Sequence, residues 1–278
     1  FTEYIYPATM HNTMIFFTKK GRCYWLKCYE IPEGNKSSKG RAIQNLLNIE
    51  SDDCVNAFLR LKTLEDQEFI NSHYIVFATK NGIIKKTPAS EYESIRKSGK
   101  IAITLKEGDE LISIFKTTGN DNIFLATRNG MAICFNENDA RAVGRTASGV
   151  KAIDLADGDY VVGAEPVRED SKVLLVTDGG YGKCTDLTSF RIQHRGGKGL
   201  KAYKITEKTG NIIGISMVND SEELIMVTSE GVVIRIRIKD IATTTGRITQ
   251  GVRLINLDDG VTVVSMDKIS AEDAVEEE

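Results

Sequence analysis

The chain has 278 residues, of which 41% are hydrophobic and 27% are charged, and its formal net charge is −3. This composition is typical of a globular protein with enough apolar residues for a substantial core. No run approaches the ~18 apolar residues of a membrane span, and no charged-then-apolar leader precedes a cleavage site. The sequence therefore predicts neither a membrane protein nor a secreted one.

Two further features concern the context of the chain. It begins at Phe1 rather than at a methionine, so we expect a fragment of a longer protein. Its five cysteines are odd in number and contain no Cys-x-x-Cys pair. That pattern indicates reduced thiols in a cytoplasmic protein.

A motif of Thr, two residues and Gly recurs five times, each time after a short apolar run. The motifs span Thr18–Gly21, Thr79–Gly82, Thr127–Gly130, Thr177–Gly180 and Thr228–Gly231. A second glycine follows each motif 17 to 20 positions later, at Gly40, Gly99, Gly149, Gly199 and Gly251. The repeat of about fifty residues predicts stacked or radially arranged supersecondary units.

Each repeat is predicted to begin with a β-hairpin. Apolar runs lead into Asn81-Gly82 and Asn129-Gly130, and Asn-Gly between such runs predicts a two-residue type I′ turn. The strand after the turn alternates in Ile234–Ile238, where isoleucines share one face and two arginines share the other. We expect the isoleucine face to pack inward and the arginines to face solvent.

The second half of each repeat is predicted to add two more strands. After the second glycine, Lys100–Leu105 reads as an apolar strand, and a Gly-Asp turn follows at Gly108-Asp109. Leu111–Phe115 then reads as the fourth strand. Four short strands in each fifty residues, without long helices, predict an all-β, propeller-like ring of five visible blades. We expect one domain over residues 1–269, followed by an acidic, disordered tail at 270–278.

The charge distribution follows the repeat. The five stretches from the Thr-x-x-Gly motif to just past the second glycine hold 27 of the 36 Lys and Arg residues, but 10 of the 39 Asp and Glu residues. A near-neutral total therefore hides a basic population and an acidic one. Because binding of a polyanion depends on local charge, this distribution predicts a nucleic-acid partner.

The candidate DNA-binding residues are the cations in or beside these stretches. They are Lys36, Lys39, Arg41, Lys85, Lys86, Arg96, Lys97, Lys100, Arg141, Arg145, Lys151, Lys183, Arg191, Arg195, Lys198, Lys201, Arg235, Arg237, Arg247 and Arg253. Contacts of this kind neutralise phosphates without reading bases. We therefore expect steep salt dependence and little sequence preference.

Catalytic motifs are not visible in the sequence. His11, His73 and His194 are far apart, and none has a metal-ligand spacing. Tyr92 is interpreted as a packing residue. The sequence predicts no catalytic residue, no metal site and no cofactor in this chain.

One segment of the fourth repeat has a specific counterpart. Gln193-His-Arg-Gly-Gly-Lys-Gly199 resembles the Gln-(Arg/Lys)-Arg-Gly-Gly-(Arg/Lys)-Gly box of the bacterial DNA gyrase A C-terminal domain family. His194 is the one departure, since the family has Arg or Lys at that place. The box-like motif comprises Gln193, His194, Arg195, Gly196, Gly197, Lys198 and Gly199. Tyr29–Glu33 and Gly246–Val252 resemble the same family, and the likeness extends to about residue 269.

The resemblance implies a β-pinwheel, a propeller variant with six blades that exchange strands and wrap duplex DNA on a basic rim. In the family the box lies on the first blade, so the first visible repeat corresponds to the second blade and the first would lie upstream. By resemblance the chain acts in a bacterial, cytoplasmic, nucleoid-associated type IIA topoisomerase, for which ATP and Mg are cofactors of the whole enzyme. The implied partners are duplex DNA, the gyrase A breakage-reunion domain in cis, and gyrase B in a heterotetramer of two A and two B subunits.

Two alternatives remain open at this point. The first is the equivalent module of topoisomerase IV, which engages bent or crossed DNA without strong wrapping. The second is a propeller scaffold for acidic proteins, or an enzyme with polar residues gathered in a central channel. The second alternative predicts no dependence of DNA binding on duplex length.

Overall fold

The computed structural model describes residues 10, 12–35, 38–61, 67–93 and 98–269, without the side chains of 60 and 61. Within these residues the longest helix, α1, has six residues (Gln67–Ser72), and none is long and apolar enough to cross a membrane. All other regular elements are strands and single 3₁₀ turns. The predicted all-β class is therefore confirmed.

Twenty strands are formed in the described chain. They are β1 (Thr13–Thr18), β2 (Arg22–Lys27), β3 (Val55–Leu61), β4 (Tyr74–Thr79), β5 (Ile83–Pro88), β6 (Lys100–Ile101), β7 (Leu111–Thr117), β8 (Asn122–Thr127), β9 (Met131–Asn136), β10 (Val150–Lys151), β11 (Val161–Pro166), β12 (Lys172–Thr177), β13 (Tyr181–Asp186), β14 (Leu200–Lys201), β15 (Ile212–Val218), β16 (Glu223–Thr228), β17 (Val233–Arg237), β18 (Thr243–Thr244), β19 (Val252–Arg253) and β20 (Val263–Ile269).

The Thr-x-x-Gly motif forms the hairpin turn in all five repeats. In the second repeat the Gly82 amide donates to the Thr79 carbonyl oxygen at 3.0 Å, and the Ile83 amide donates to Thr79 Oγ1 at 3.1 Å. Gly82 has φ +81°, whereas Asn81 has no positive φ. The predicted type I′ turn is therefore wrong: Gly82 is the last turn residue, and the left-handed conformation is confined to it. Asp109 of the Gly-Asp turn accepts a hydrogen bond from the Asn81 amide at 2.9 Å, which ties the two turns together.

The described chain divides into two compact units. The amino-terminal unit comprises Ala8–Asn120 and Ala140–Lys151, and it contains two sheets with strand orders β3-β1-β2-β6 and β10-β5-β4-β7. Its core includes Ile15, Phe17, Trp25 and Phe77. The rings of Phe17 and Phe77 meet edge to face at a centroid distance of 5.6 Å.

The carboxy-terminal unit comprises Asp121–Asp139 and Ala152–Glu278 and contains three sheets. Their strand orders are β11-β8-β9-β14, β15-β12-β13-β18 with β19 also on β13, and β17-β16-β20. Phe124 and Phe190 lie in one core cluster, with ring centroids 4.9 Å apart, and Leu224 and Met226 lie in another. The five sheets correspond to the five sequence repeats. The prediction of one domain over 1–269 is not tested by this division and stays a prediction.

Strands are exchanged between successive repeats inside both units. The two-residue strands β6, β10, β14 and β19 each follow the second glycine of one repeat and pair with the second hairpin strand of the preceding repeat, β2, β5, β9 and β13. The close approach requires glycine: a Cβ on Gly199, whose φ is +75°, would lie 2.4 Å from the Ala132 carbonyl oxygen.

The predicted strand Lys100–Leu105 is too long, because β6 has only two residues. After Ile101 the chain leaves the sheet because the amides of Ala102 and Ile103 both turn back to the Gly21 carbonyl oxygen.

Candidate nucleic-acid interface

Half of the predicted DNA-binding cations are exposed in the structure. They are Lys39, Arg41, Arg141, Lys151, Arg191, Lys198, Lys201, Arg235, Arg237 and Arg253. We call this set the basic surface residues. Lys36, Arg96 and Lys97 lie outside the described residues. The remaining seven candidates are half-buried or buried.

The donated two-residue strands explain part of this pattern. Each carries one apolar and one basic side chain: Lys100-Ile101, Val150-Lys151, Leu200-Lys201 and Val252-Arg253. Because these strands lie at sheet edges and are two residues long, their side chains stay at least partly exposed. The strand exchange therefore brings one cation of each donor repeat to the outer edge of the preceding sheet.

Three arginines occupy one register position, four residues before the second glycine: Arg145, Arg195 and Arg247. They lie in the third-repeat loop (140–149), the fourth-repeat loop (190–199) and the fifth-repeat loop (241–251). Arg145 donates from Nη1 to the Ile101 carbonyl oxygen, and Arg247 donates from Nη1 to the Lys201 carbonyl oxygen at 3.3 Å. Both loops are thereby linked to a donated strand. These guanidinium groups are half-buried and anchored rather than fully free for phosphate.

Arg195 is anchored differently. Its Nε donates to the Asp139 carbonyl oxygen at 2.8 Å, and its amide donates to Asp139 Oδ2 at 3.2 Å. The His194 side chain is 99% exposed, with Nδ1 3.3 Å from the same Asp139 oxygen. The box-like motif therefore presents His194 and Lys198 to solvent, while Arg195 folds back onto the protein.

Backbone groups of the box-like motif are used inside the fold. The Gln193 amide donates to the Cys134 carbonyl oxygen at 2.8 Å, and the Gly196 amide donates to the Ala152 carbonyl oxygen at 2.6 Å. The Gly197 carbonyl oxygen accepts from the Asp154 amide at 2.9 Å. These hydrogen bonds favour a loop that closes against its neighbouring sheet. The amides they occupy are not available to a phosphate.

Three predicted surface cations are buried. Lys85, Lys86 and Lys183 expose 1%, 4% and 0% of their area, so their placement at the surface is wrong. Lys86 Nζ lies 4.3 Å from the centroid of the Tyr74 ring. Loops of the following repeat cover Lys85 and Lys183, whereas Lys86 lies on the opposite face of β5.

The ammonium groups of Lys85 and Lys183 lie against backbone carbonyl groups. Lys85 Nζ donates to the Ala102 carbonyl oxygen at 2.6 Å and to the Arg145 carbonyl oxygen. Lys183 Nζ donates to the Arg247 carbonyl oxygen at 2.5 Å and to Thr249 Oγ1 at 3.1 Å. Burial lowers the pKa of Lys85 to about 7 and that of Lys183 to about 8 because desolvation disfavours the charged form.

Strand β17 shows the predicted alternation. Ile234 and Ile236 are half-buried, and Arg235 and Arg237 are exposed. Each arginine has an acidic neighbour: Arg235 pairs with Glu223, and Arg237 Nε lies 2.8 Å from Asp240 Oδ2. These ion pairs reduce the net positive charge that the strand presents.

The described residues hold no cluster of three or more His, Cys, Asp or Glu side chains that could bind a metal ion. Tyr92 is fully buried, and its hydroxyl donates to the Ala102 carbonyl oxygen at 2.9 Å, as expected for a packing residue. His73 Nδ1 lies 3.1 Å from the Phe69 carbonyl oxygen. His11 lies outside the described residues.

A cluster of polar side chains lies in the carboxy-terminal unit. Glu165 accepts hydrogen bonds from the Met217 amide at 2.7 Å and from Ser216 Oγ at 3.3 Å. Arg168 and Glu222 form an ion pair at 3.1 Å. Desolvation raises the pKa of Glu165. Because these carboxylates already have protein donors, the cluster resembles a structural network more than a reactive site.

Comparisons with known proteins agree with this architecture. The family described as "DNA gyrase C-terminal domain, beta-propeller" matches residues 12–59, 73–118, 121–168, 171–219 and 222–270, one match for each repeat. The DNA gyrase A subunit of Halalkalibacterium halodurans is 52% identical over 98% of this chain, and that of Clostridium acetobutylicum is 45% identical over 99%. The chain spans 32% of the length of each relative.

Two solved structures are also similar. The C-terminal domain of a DNA topoisomerase IV superposes with a TM-score of 0.84 at 27% identity, covering 96% of this chain and 82% of that one. A DNA gyrase A C-terminal domain superposes with a TM-score of 0.80 at 24% identity, covering 94% and 83%. Both share the propeller-like fold of repeated sheets. By the five family matches that cover most of its length, the chain belongs to the DNA gyrase C-terminal domain, beta-propeller family.

Proposed function

We propose that this chain binds duplex DNA without sequence specificity and bends and wraps it on the basic surface residues. The observation that carries the proposal is the periodic placement of exposed cations on donated strands and loops, repeat after repeat. Phosphate contacts spread over several repeats suit a smoothly curved duplex. Curving 20–30 bp by 40–90° costs on the order of 1–6 kcal/mol, which distributed contacts can offset.

Within the intact protein the chain would be the C-terminal part of the A subunit of a DNA gyrase. Its role would be to present a wrapped segment to the breakage-reunion domain in cis, so that ATP-driven strand passage introduces negative supercoils. Gyrase B in a heterotetramer of two A and two B subunits would supply ATP hydrolysis with Mg. The chain itself would hold no catalytic site, and the complex would work on the bacterial nucleoid in the cytoplasm.

We further propose that another repeat precedes the first visible one. Gly40-Arg41-Ala42-Ile43 has the pattern of the donor segments, such as Gly149-Val150-Lys151-Ala152, yet Arg41 and Ala42 are exposed and no strand pairing is described for them. At the other end, β17 lacks a donated strand among the described residues, and Val233 is 50% exposed. One additional repeat would accept the Gly40–Ile43 segment as a donated strand and would supply a donated strand to β17.

The test of DNA wrapping is a duplex of about 40 bp labelled at both ends, titrated with the 278-residue chain across a salt series. Anisotropy reports affinity, and energy transfer reports the distance between the duplex ends. We expect the slope of log K against log salt to be about −5 to −9 if each repeat neutralises one or two phosphates. We also expect energy transfer to rise on binding, and duplexes shorter than ~20 bp should bind more weakly.

A topoisomerase IV-type module is the second candidate, because the similarity to that C-terminal domain extends over 96% of this chain. It predicts the same salt dependence without a rise in end-to-end energy transfer. A protein-binding scaffold predicts no measurable DNA affinity at low salt. That last result would overturn both DNA-binding proposals.

A further inference from the structure

A lysine replaces an apolar residue at one buried strand position in alternate repeats. Three residues after the hairpin glycine, the first four repeats have Tyr24, Lys85, Ile133 and Lys183. All four side chains are buried, with 1%, 1%, 1% and 0% exposure. A buried ammonium group is unfavourable unless it has good hydrogen-bond acceptors, so a lysine at this position needs specific partners.

Both lysines find equivalent partners in a basic loop of the following repeat. Lys85 donates to the carbonyl oxygen of Arg145 in the third-repeat loop, and Lys183 donates to the carbonyl oxygen of Arg247 in the fifth-repeat loop. Arg145 and Arg247 each lie four residues before the second glycine. In two different sheets, therefore, a buried lysine donates to the carbonyl oxygen of the arginine at the same loop position.

The fourth-repeat loop has no such lysine beneath it. The strand position beneath it is Ile133, which has no donor. There the loop arginine, Arg195, turns inward and donates from Nε to the Asp139 carbonyl oxygen at 2.8 Å. In the fifth-repeat loop, which Lys183 holds, Arg247 donates from Nη1 to the Lys201 carbonyl oxygen at 3.3 Å.

We propose that Lys85 and Lys183 are positioning residues for DNA binding, which fix the third- and fifth-repeat loops so that the exposed cations in and next to them, Arg141, Lys151 and Arg253, face the duplex. This inference rests on the proposed DNA-binding function. The lysines do not touch DNA themselves. They reduce the loop freedom that would otherwise be lost on binding, and each adds a positive charge beneath its loop.

The surroundings of each lysine make its charge sensitive to pH near neutrality. Arg145, Cys23 and Glu91 act on Lys85, together with the Tyr92 hydroxyl that shares the Ala102 carbonyl oxygen. Lys183 Nζ faces the Tyr203 ring, 5.1 Å from its centroid, and no titratable neighbour shifts its pKa. The pKa values of about 7 and about 8 mean that both ammonium groups lose charge between pH 6.5 and 9.

The test compares Lys85→Met and Lys183→Met with Ile133→Met, which places the same side chain at the equivalent position of a repeat that has no lysine there. Duplex affinity is measured at pH 6.5, 7.5 and 8.5 well below each variant's unfolding temperature, and circular dichroism confirms that each is folded. We expect each lysine variant to bind 5- to 20-fold more weakly at pH 6.5 and the difference from wild type to shrink by pH 8.5. Ile133→Met should bind within twofold of wild type at every pH.

A DNA-free measurement separates this inference from the proposed function. Amide hydrogen exchange should show faster exchange at Val143 and Ala147 in Lys85→Met, because their hydrogen bonds belong to the loop that Lys85 holds. If wild type fails to bind DNA, the proposed function fails, whatever the exchange shows. If wild type binds and the lysine variants bind equally, with the wild-type pH profile, the positioning role is overturned.

Discussion

The third- and fifth-repeat loops differ from the fourth-repeat loop, although all three have an arginine four residues before the second glycine of their repeat. In the first two, a buried lysine holds the loop from the sheet and the loop arginine bridges to a donated strand. In the fourth-repeat loop, Arg195 anchors the loop itself and Lys198 and His194 face solvent. Loops at the same position of the repeat can therefore be held by a lysine of the preceding sheet, as by Lys85 and Lys183, or by a contact of their own arginine, as by Arg195.

The largest expected effect comes from reversing the exposed charges in and just after the fourth-repeat loop. Lys198→Glu with Lys201→Glu should weaken duplex binding more than tenfold and reduce the salt slope by about two, because two phosphate contacts are lost. Anisotropy titrations across a salt series measure both quantities. Lys106→Glu is the control, since Lys106 is exposed but lies outside the basic stretches. It reverses one charge rather than two, so a control loss half as large on the logarithmic scale would mean that only net charge matters.

The next effect concerns stability and pH on the lysine side of the comparison. Burial depresses the pKa of Lys85 to about 7 in the folded chain, against 10.5 for a free lysine, so the unfolded chain binds more protons between these values. Stability should therefore rise with pH from about 7, by at most about 1.4 kcal/mol per pH unit. Lys85→Met should show a smaller rise, because Lys183, with a pKa of about 8, still contributes above that pH, and Ile133→Met should retain the full rise.

Urea unfolding at pH 7.0, 7.75 and 8.5 measures the difference. This window avoids the region above pH 9, where the Cys184 and Cys134 thiols, with pKa values raised to about 11, oppose the trend. A parallel pH dependence in wild type and Lys85→Met would show that the ammonium is not buried in solution.

Removing the anchor of the fourth-repeat loop should have a smaller effect. Arg195→Ala should destabilise the chain by about 1 kcal/mol, since it removes the hydrogen bond to the Asp139 carbonyl oxygen. Arg195→Lys should not restore the loss, because an ammonium lacks the Nε–H geometry of guanidinium. Thermal unfolding checks both variants. Full rescue by lysine would assign Arg195 a role through its charge alone.

The smallest effect is expected from the acidic segment 270–278, which lies outside the described residues. We propose that it competes with DNA for the basic surface residues, so its deletion should tighten duplex binding about two- to fivefold at low salt. The gain should vanish above ~0.3 M salt, because charge attraction is screened there. Anisotropy of the shortened chain measures it; unchanged affinity at low salt would refute the competition.

The local sequence determined the repeat, the hairpins and the distribution of charge. Thr79 and Gly82 suffice for their turn because the hydrogen bonds and the left-handed glycine lie within four residues. The alternation of Ile234 and Arg235 set the two faces of β17, of which the arginine face is exposed. The family also followed from the sequence, since the box-like motif and the other matching segments occur in the same order along the chain as in the family.

Only the tertiary structure decided which cations face solvent and which strand segments are exchanged. Lys85 and Lys183 have the sequence pattern of surface lysines, but loops about sixty residues further along the chain cover them. Arg195 has the register of Arg145 and Arg247, yet its Nε donates to the Asp139 carbonyl oxygen, a partner that the sequence pattern does not indicate. Period-two patterning describes one strand, whereas burial in an exchanged sheet depends on its neighbours, and that is why the interface required the structure.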